Sequence, residues 1–88
     1  MTGIKMLIAS PLRPYTGADE VELQGGSLGA LLDDLDRRFP GIRFRMIDEQ
    51  DRMRAHIRFF VNGEQTFDMG RALLAGDSVQ IVQALSGG

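Results

Sequence analysis

The chain has 88 residues, enough for one small domain and too few for two. Hydrophobic residues make up 43% and charged residues 25%, which is the composition of a folded globular domain. The formal charge of −2 argues against a nucleic-acid binder, and the absence of cysteine excludes disulfides, thiolate metal sites and cysteine nucleophiles. No apolar run approaches the ~20 residues that span a membrane, and a signal-peptide pattern is missing, so we expect a cytoplasmic protein.

Two strands joined by a loop are predicted at the start of the chain. Apolar residues alternate with others over residues 4–9, which is the period of a strand with one buried face. Pro11 and Pro14 stop this strand and open a loop that runs through Gly17. Residues 20–23 then form a second strand, with its alternate apolar side chains directed inward.

The clearest helix in the sequence follows Ser27, whose hydroxyl is a good N-cap. Its apolar stripe repeats at the spacing of one helix face and comprises Leu28, Leu31, Leu32, Leu35 and Phe39. Pro40 and Gly41 end this helix, and residues 43–47 form a further short helical turn. The acids on its polar face are interpreted as solvated, because they lie at different angles around the axis: Asp33, Asp34 and Asp36.

The second half of the chain returns to the period of a strand. Residues 57–61 alternate, and Asn62 and Gly63 then predict a tight hairpin turn because both residue types tolerate positive φ. After the turn we expect a return strand, a short helical turn beneath the core and a last strand, at residues 65–67, 69–74 and 78–85.

The order of these elements predicts an α+β roll: a mixed sheet of four to five strands with one main helix across one face. The domain then spans residues 1–85, and residues 86–88 form a flexible tail that ends in two glycines. A helix on one face leaves large apolar side chains on the other, where they usually meet a partner. We expect this partner-binding surface to comprise Leu7, Phe60, Val82, Arg58, Leu85 and Ser86. For Phe60 the alternative is simple burial against the loop of residues 13–20.

Five motifs in this order give the chain a resemblance to a known family. They are I-K-M-L-I-A, the helix S-L-G-A-L-L-D-D-L-D-R-R-F-P-G, F-V-N-G-E at 60–64, A-G-D-S-V-Q-I-V at 75–82 and the S-G-G end. In this order they resemble the MoaD/ThiS family of β-grasp, ubiquitin-like sulfur carriers. R-P-Y-T-G at 13–17 and R-M-R-A-H-I-R-F-F-V-N-G-E at 52–64 are most similar to the CysO-like carriers of cysteine biosynthesis.

The resemblance implies a role for the terminal residues Gly87 and Gly88. In the family, an E1-like adenylating enzyme uses ATP and Mg²⁺ to form an acyl-adenylate on the last carboxylate. Sulfur then replaces the adenylate, and the thiocarboxylate serves a sulfur-accepting synthase in cysteine, molybdopterin or related biosynthesis. The residues agree with this: glycine threads a narrow channel without steric cost, and a chain without cysteine has no thiol to carry a persulfide.

Two other functions are open, and catalysis by the chain itself is not expected. The same terminus can form an isopeptide bond as a protein modifier, or the tail can be inert beside a β-grasp interaction surface. The sequence shows no nucleophile–base pair and no metal-ligand cluster, so we expect no catalytic residue, no metal and no cofactor bound by this chain. The single histidine, His56, is interpreted as surface decoration, and Gly25 and Gly26 lack the pattern of a phosphate loop.

Overall fold

The structure is a computed structural model and describes residues 3–83. Its strands are β1 (Ile4–Leu7), β2 (Glu20–Leu23), β3 (Ile57–Val61), β4 (Glu64–Thr66) and β5 (Ser78–Gln83). A 3₁₀ turn at Ser10–Leu12 precedes three helices, which are α1 (Arg13–Thr16), α2 (Leu28–Arg38) and α3 (Ile42–Met46). The predicted α+β arrangement is confirmed, with α2 as its longest helix.

The five strands form one mixed sheet in the order β2-β1-β5-β3-β4. The central pair, β1 and β5, is parallel, and every other neighbouring pair is antiparallel. Asn62 and Gly63 form the β3–β4 turn with φ values of 51° and 84°, as their sequence predicts. The sheet therefore places the last strand of the described chain at its centre.

One face of the sheet and the apolar stripe of α2 make the core. Along β3 the residues alternate between buried and half-buried, and β1 alternates between buried and exposed. The hydroxyl of Ser27 accepts a hydrogen bond from the backbone N–H of Ala30 at 3.2 Å and begins the helix as expected. The side chains of α2 that pack into this core are fully buried and comprise Leu28, Leu31, Leu32 and Leu35.

The segment predicted as an open loop after β1 is helical instead. Pro11 and Pro14 each occupy one of the first two positions of a short helical element, the 3₁₀ turn and α1. Proline suits these positions because its fixed φ is helical and its missing N–H would have no partner there. Leu12 is buried between them, so this connection closes one end of the core.

The helical turn predicted at residues 69–74 is wrong. The segment runs alongside the start of α2, where Arg71 O accepts from Leu28 N–H and Met69 O from Gly29 N–H, at 2.9 and 2.8 Å. These carbonyls satisfy N–H groups that the first turn of any helix leaves free, and a helical turn would use them internally. Within the segment Leu73 is buried, whereas Leu74 is 73% exposed.

The interpretation of the helix acids as solvated is wrong for Asp34, which is 3% exposed. Its carboxylate accepts from the backbone N–H of Gln24 at 3.0 Å and pairs with Arg37 and Arg38. Burial alone would raise the pKa of Asp34, but the hydrogen bond from Gln24 and the two arginine charges outweigh burial and lower the pKa. Asp34 thereby ties α2 to the end of β2.

Candidate functional site

The sheet face opposite α2 gathers the described members of the predicted partner-binding surface. The strand register brings five residues into one row across the sheet, namely Glu20, Leu7, Gln80, Phe60 and Gln65. The next row pairs Val82 with Arg58. Leu7, Phe60, Val82 and Arg58 therefore lie on one face, and we call these four residues the outer patch.

The outer patch combines apolar surface with one cation. Leu7 is 37% exposed, while Phe60, Val82 and Arg58 are half-buried among their neighbours. The Arg58 guanidinium donates hydrogen bonds to the carbonyls of Ala55 and Ile57, so its position is fixed at the start of β3. Such a patch can bury apolar area against a partner while the arginine adds a directional contact.

A groove runs along the outer patch at the end of β5. It has a volume of about 370 Å³ and is lined by Leu7, Pro11, Arg13, Val82 and Gln83 among others. Phe60 is not part of its lining. Phe60 instead pairs across the sheet with Gln80 and Gln65. One end of the groove therefore lies at Gln83, the last residue of β5, after which the sequence continues to its C-terminal residues.

Gln83 separates this groove from a second surface region, which contains arginine and aromatic side chains. The Nε atom of Arg45 donates to the hydroxyl of Tyr15 at 2.6 Å. Arg54 Nε donates to the carbonyl of Phe44 at 2.7 Å, and its guanidinium stacks 4.6 Å from the centre of the Phe44 ring. The exposed His56 lines the cavities between these side chains, which gives it a basic neighbourhood but no hydrogen-bond partner within the described chain.

Four predicted site residues lie outside the described residues: Leu85, Ser86, Gly87 and Gly88. The predicted end of the last strand at residue 85 and the domain boundary after it lie there too. Between residues 3 and 83, no three acidic or histidine side chains come close enough to hold a metal ion. In the same part of the chain, no helix is long and apolar enough to cross a membrane.

Two exposed aromatic residues were missed by the sequence analysis. Phe67 follows β4 directly and is 71% exposed, and Phe44 on α3 is 58% exposed. The exposure of Phe67 could have been inferred from strand alternation, because its neighbour Thr66 is buried and successive side chains point to opposite faces. For Phe44 the signal is its place midway between Ile42 and Met46, which share the buried side of α3.

This strand order with one long helix across the sheet defines a ubiquitin-like β-grasp protein. Residues 6–88 match the ThiS family, and the chain belongs to that family. The resemblance stated from the sequence motifs is therefore confirmed.

Comparison with individual proteins shows which members of the family this chain is similar to. The sulfur carrier protein CysO of Mycobacterium tuberculosis is 34% identical over 91 aligned positions, covering 97% of this chain and 98% of CysO. The crystal structure of the same protein aligns with a TM-score of 0.87 at 31% identity, over 93% of this chain and 99% of CysO.

Two further solved structures share the fold. A crystal structure of the Amycolatopsis orientalis BexX/CysO complex contains a chain that aligns with a TM-score of 0.88 at 28% identity, covering 97% of this chain and 99% of that one. The small archaeal modifier protein 1 of Haloferax volcanii aligns with a TM-score of 0.83 at 22% identity, covering 97% and 100%, and supports the fold alone.

Proposed function

We propose that this protein is a sulfur carrier whose C-terminal carboxylate, on Gly88, is adenylated by a partner enzyme and converted to a thiocarboxylate. The observation that carries the proposal is that the match to the ThiS family extends through residue 88, and so includes Gly87 and Gly88. The 34% identity to a protein named a sulfur carrier supports it. The terminal residues also follow closely on β5, the central strand of the sheet, which provides a rigid anchor.

The chemistry needs a partner because a carboxylate is a poor electrophile. An unperturbed chain-terminal carboxyl has a pKa of about 3.5, so such a group is ionised at neutral pH. Its oxygen attacks the α-phosphorus of ATP, pyrophosphate leaves, and the resulting acyl-adenylate carries a good leaving group. A sulfide-level donor then attacks the carbonyl carbon and displaces AMP, which leaves the thiocarboxylate. Mg²⁺ and the cationic groups for nucleotidyl transfer belong to the adenylating enzyme.

In this proposal the chain is a protein cosubstrate, and its contribution is recognition. The outer patch, with Leu85 and Ser86 beside the terminus, binds the E1-like adenylating enzyme and later the sulfur-accepting synthase. The solved complex of an Amycolatopsis orientalis CysO with BexX supports a protein partner for this kind of chain. The identity to CysO favours cysteine biosynthesis over molybdopterin synthesis as the destination, and we expect these steps in the cytoplasm.

Intact-mass spectrometry tests the proposal directly. The full chain is incubated with a purified E1-like adenylating enzyme of its own organism, ATP, Mg²⁺ and sulfide. We expect the mass change of one oxygen replaced by one sulfur, located by fragmentation on Gly88. The matched control lacks only Gly88, and it should gain no sulfur while its thermal unfolding midpoint stays unchanged. An unmodified wild-type chain in the presence of an active enzyme would contradict the proposal.

The two alternatives give different results in the same preparation. A protein modifier would form conjugates of higher mass through Gly88, and its own single lysine, Lys5, would be the one side-chain site for self-linked chains. In the structure that ammonium group pairs with Glu20 at 3.2 Å. An interaction module with an inert tail would keep its function when Gly87 and Gly88 are deleted.

A further inference from the structure

The arginines of this protein fall into two groups. Five form ion pairs with aspartate or glutamate, and they are Arg37, Arg38, Arg43, Arg52 and Arg71. The other four form no ion pair with any carboxylate in residues 3–83, and they are Arg13, Arg45, Arg54 and Arg58. We call these four side chains the basic collar.

Neutral acceptors hold each member of the basic collar in place. Arg13 Nε donates to the carbonyl of Ile8 at 3.2 Å, and Arg45, Arg54 and Arg58 bond the phenol and carbonyl groups described above. A guanidinium has five N–H donors, and these contacts use one or two of them. Within the described part of the chain these positive charges are therefore ordered and have no carboxylate partner, which suits them for a carboxylate from another molecule.

Three members lie beside the last residues of β5, and Arg54 adjoins one of them, Arg45. Arg13 and Gln83 line the groove beside the outer patch, and Arg45 and Gln83 line the next cavity, of about 310 Å³. Arg54 shares a third cavity with Arg45, and Arg58 is the register partner of Val82. Among residues 3–83, Asp19 is the only acid in the lining of these three cavities.

At the opposite end of the sheet, the described residues contain no comparable cluster of unpaired arginines. There the side chain of Asn62 bonds Asp77 at 3.0 Å and the N–H of Ser78 at 2.9 Å. Arg71 at this end is paired with Glu64 at 3.1 Å. Among residues 3–83, positive charge without an ion-pair partner is therefore concentrated near the end of β5, although the whole chain carries −2.

We propose that the basic collar docks onto an acidic rim around the active-site entrance of the adenylating enzyme. This inference rests on the proposed function, which requires the residues that follow β5 in the sequence to enter that enzyme. Complementary charge at an entrance raises the association rate and orients the incoming chain. A nucleic acid fits less well because the chain is acidic overall and its basic surface is small.

Charge reversal within the collar is the test, with a matched reversal at the far end. Arg45→Glu and Arg54→Glu are compared with Arg71→Glu, which changes the net charge equally. The measurement is kcat/KM for pyrophosphate release by the purified adenylating enzyme, with the full chain as substrate. At about 50 mM salt each collar variant should lose about tenfold or more, and the loss should shrink as added salt screens the interaction. Arg71→Glu should stay within about twofold of wild type.

Arg45→Lys and Arg54→Lys separate charge from folding. Lysine keeps the positive charge but loses the planar contact with Tyr15 or Phe44, so these variants should retain most of the wild-type rate. Thermal unfolding is followed for every variant. If the lysine variants lose as much rate as the glutamate variants, or if the loss follows the unfolding midpoint, the arginines have a structural role. Either result would overturn the proposal that the basic collar docks by its charge.

Failure of the collar and failure of the proposed function give different results. If the wild type is adenylated and the collar variants behave like Arg71→Glu at every salt concentration, the collar is wrong and the proposed function stands. If the wild type is not adenylated, the proposed function fails, and fluorescence anisotropy with the same enzyme tests the collar by its salt dependence. Binding of a labelled single-stranded RNA that is lost in Arg45→Glu, with adenylation unchanged, would assign the collar to nucleic acid instead.

Discussion

Phe59 and Phe60 are neighbours in the sequence and belong to different parts of the molecule. Phe59 is fully buried in the core beneath α2, whereas Phe60 is half-buried in the outer patch on the other face of β3. A sheet with its long helix on one face necessarily divides each strand in this way. One face holds the fold together, and the other is available for binding, so changes on the two faces should affect different measurements.

The largest effect that tests this division comes from the two phenylalanines. Phe59→Ala removes a fully buried ring and should lower the free energy of unfolding by about 3–5 kcal/mol, which a chain of this size cannot easily tolerate. Phe60→Ala should cost about 1 kcal/mol, since only part of its ring leaves water on folding. Urea unfolding measures both values. Equal losses, or a larger loss for Phe60→Ala, would contradict the division between the faces.

A smaller effect is expected at the connection between β2 and α2. A Cβ atom on Gly25 would come within 2.6 Å of the backbone nitrogen of Leu31, so Gly25→Ala forces main-chain atoms apart. We expect a loss of about 2–3 kcal/mol. At Gly26 the same atom would meet nothing within 4 Å, and Gly26→Ala should stay within about 0.5 kcal/mol of wild type. Thermal unfolding of the two variants side by side decides this prediction, and a harmless Gly25→Ala would disprove it.

The smallest stability effect concerns the buried carboxylate of Asp34. Asn at this position keeps an oxygen for the N–H of Gln24 but loses the charge that faces Arg37 and Arg38. Since both arginines are exposed to water, Asp34→Asn should cost about 1–2 kcal/mol at neutral pH. The expected check is urea unfolding at pH 7 and again in acid.

The sign of the pH dependence follows from the lowered pKa of this group. Its pKa lies below the ordinary value of 3.8 because the Gln24 hydrogen bond and the arginines outweigh burial. The stability that Asp34 contributes is therefore complete above that value and is lost as the pH falls through its folded pKa. Asp34→Asn should accordingly reduce the difference between neutral and acid stability, and an unchanged difference would count against the buried pairing.

Much of the fold follows from local sequence signals, because each acts over a few residues. Alternation in residues 57–61, the N-cap at Ser27 and the turn at Asn62 and Gly63 all lead to the observed elements. The prediction of a helical turn at residues 69–74 failed because the conformation of this segment depends on the free N–H groups of α2, which lie far away in the sequence.

Prediction of the functional site from local sequence signals meets the same limit. Leu7, Phe60, Val82 and Arg58 could be assigned to one face by alternation once the helix was placed on the other. The basic collar could not be predicted in this way, because Arg13, Arg45 and Arg54 come from three separate segments that are brought together only by tertiary packing. The ion pairing that distinguishes Arg37 from Arg45 likewise depends on side chains placed by the fold.

The position of β5 has a consequence for synthesis of the protein on the ribosome. This strand is the last element of the described chain, yet it lies between β1 and β3 at the centre of the sheet. Until β5 has been translated, no strand joins the β1–β2 pair to the β3–β4 pair, so assembly of the whole sheet is a late, long-range event. Translation that stops before β5 leaves two unpaired strand edges, which quality-control proteases can recognise. The sheet is therefore complete only after residues 78–83 have left the ribosome.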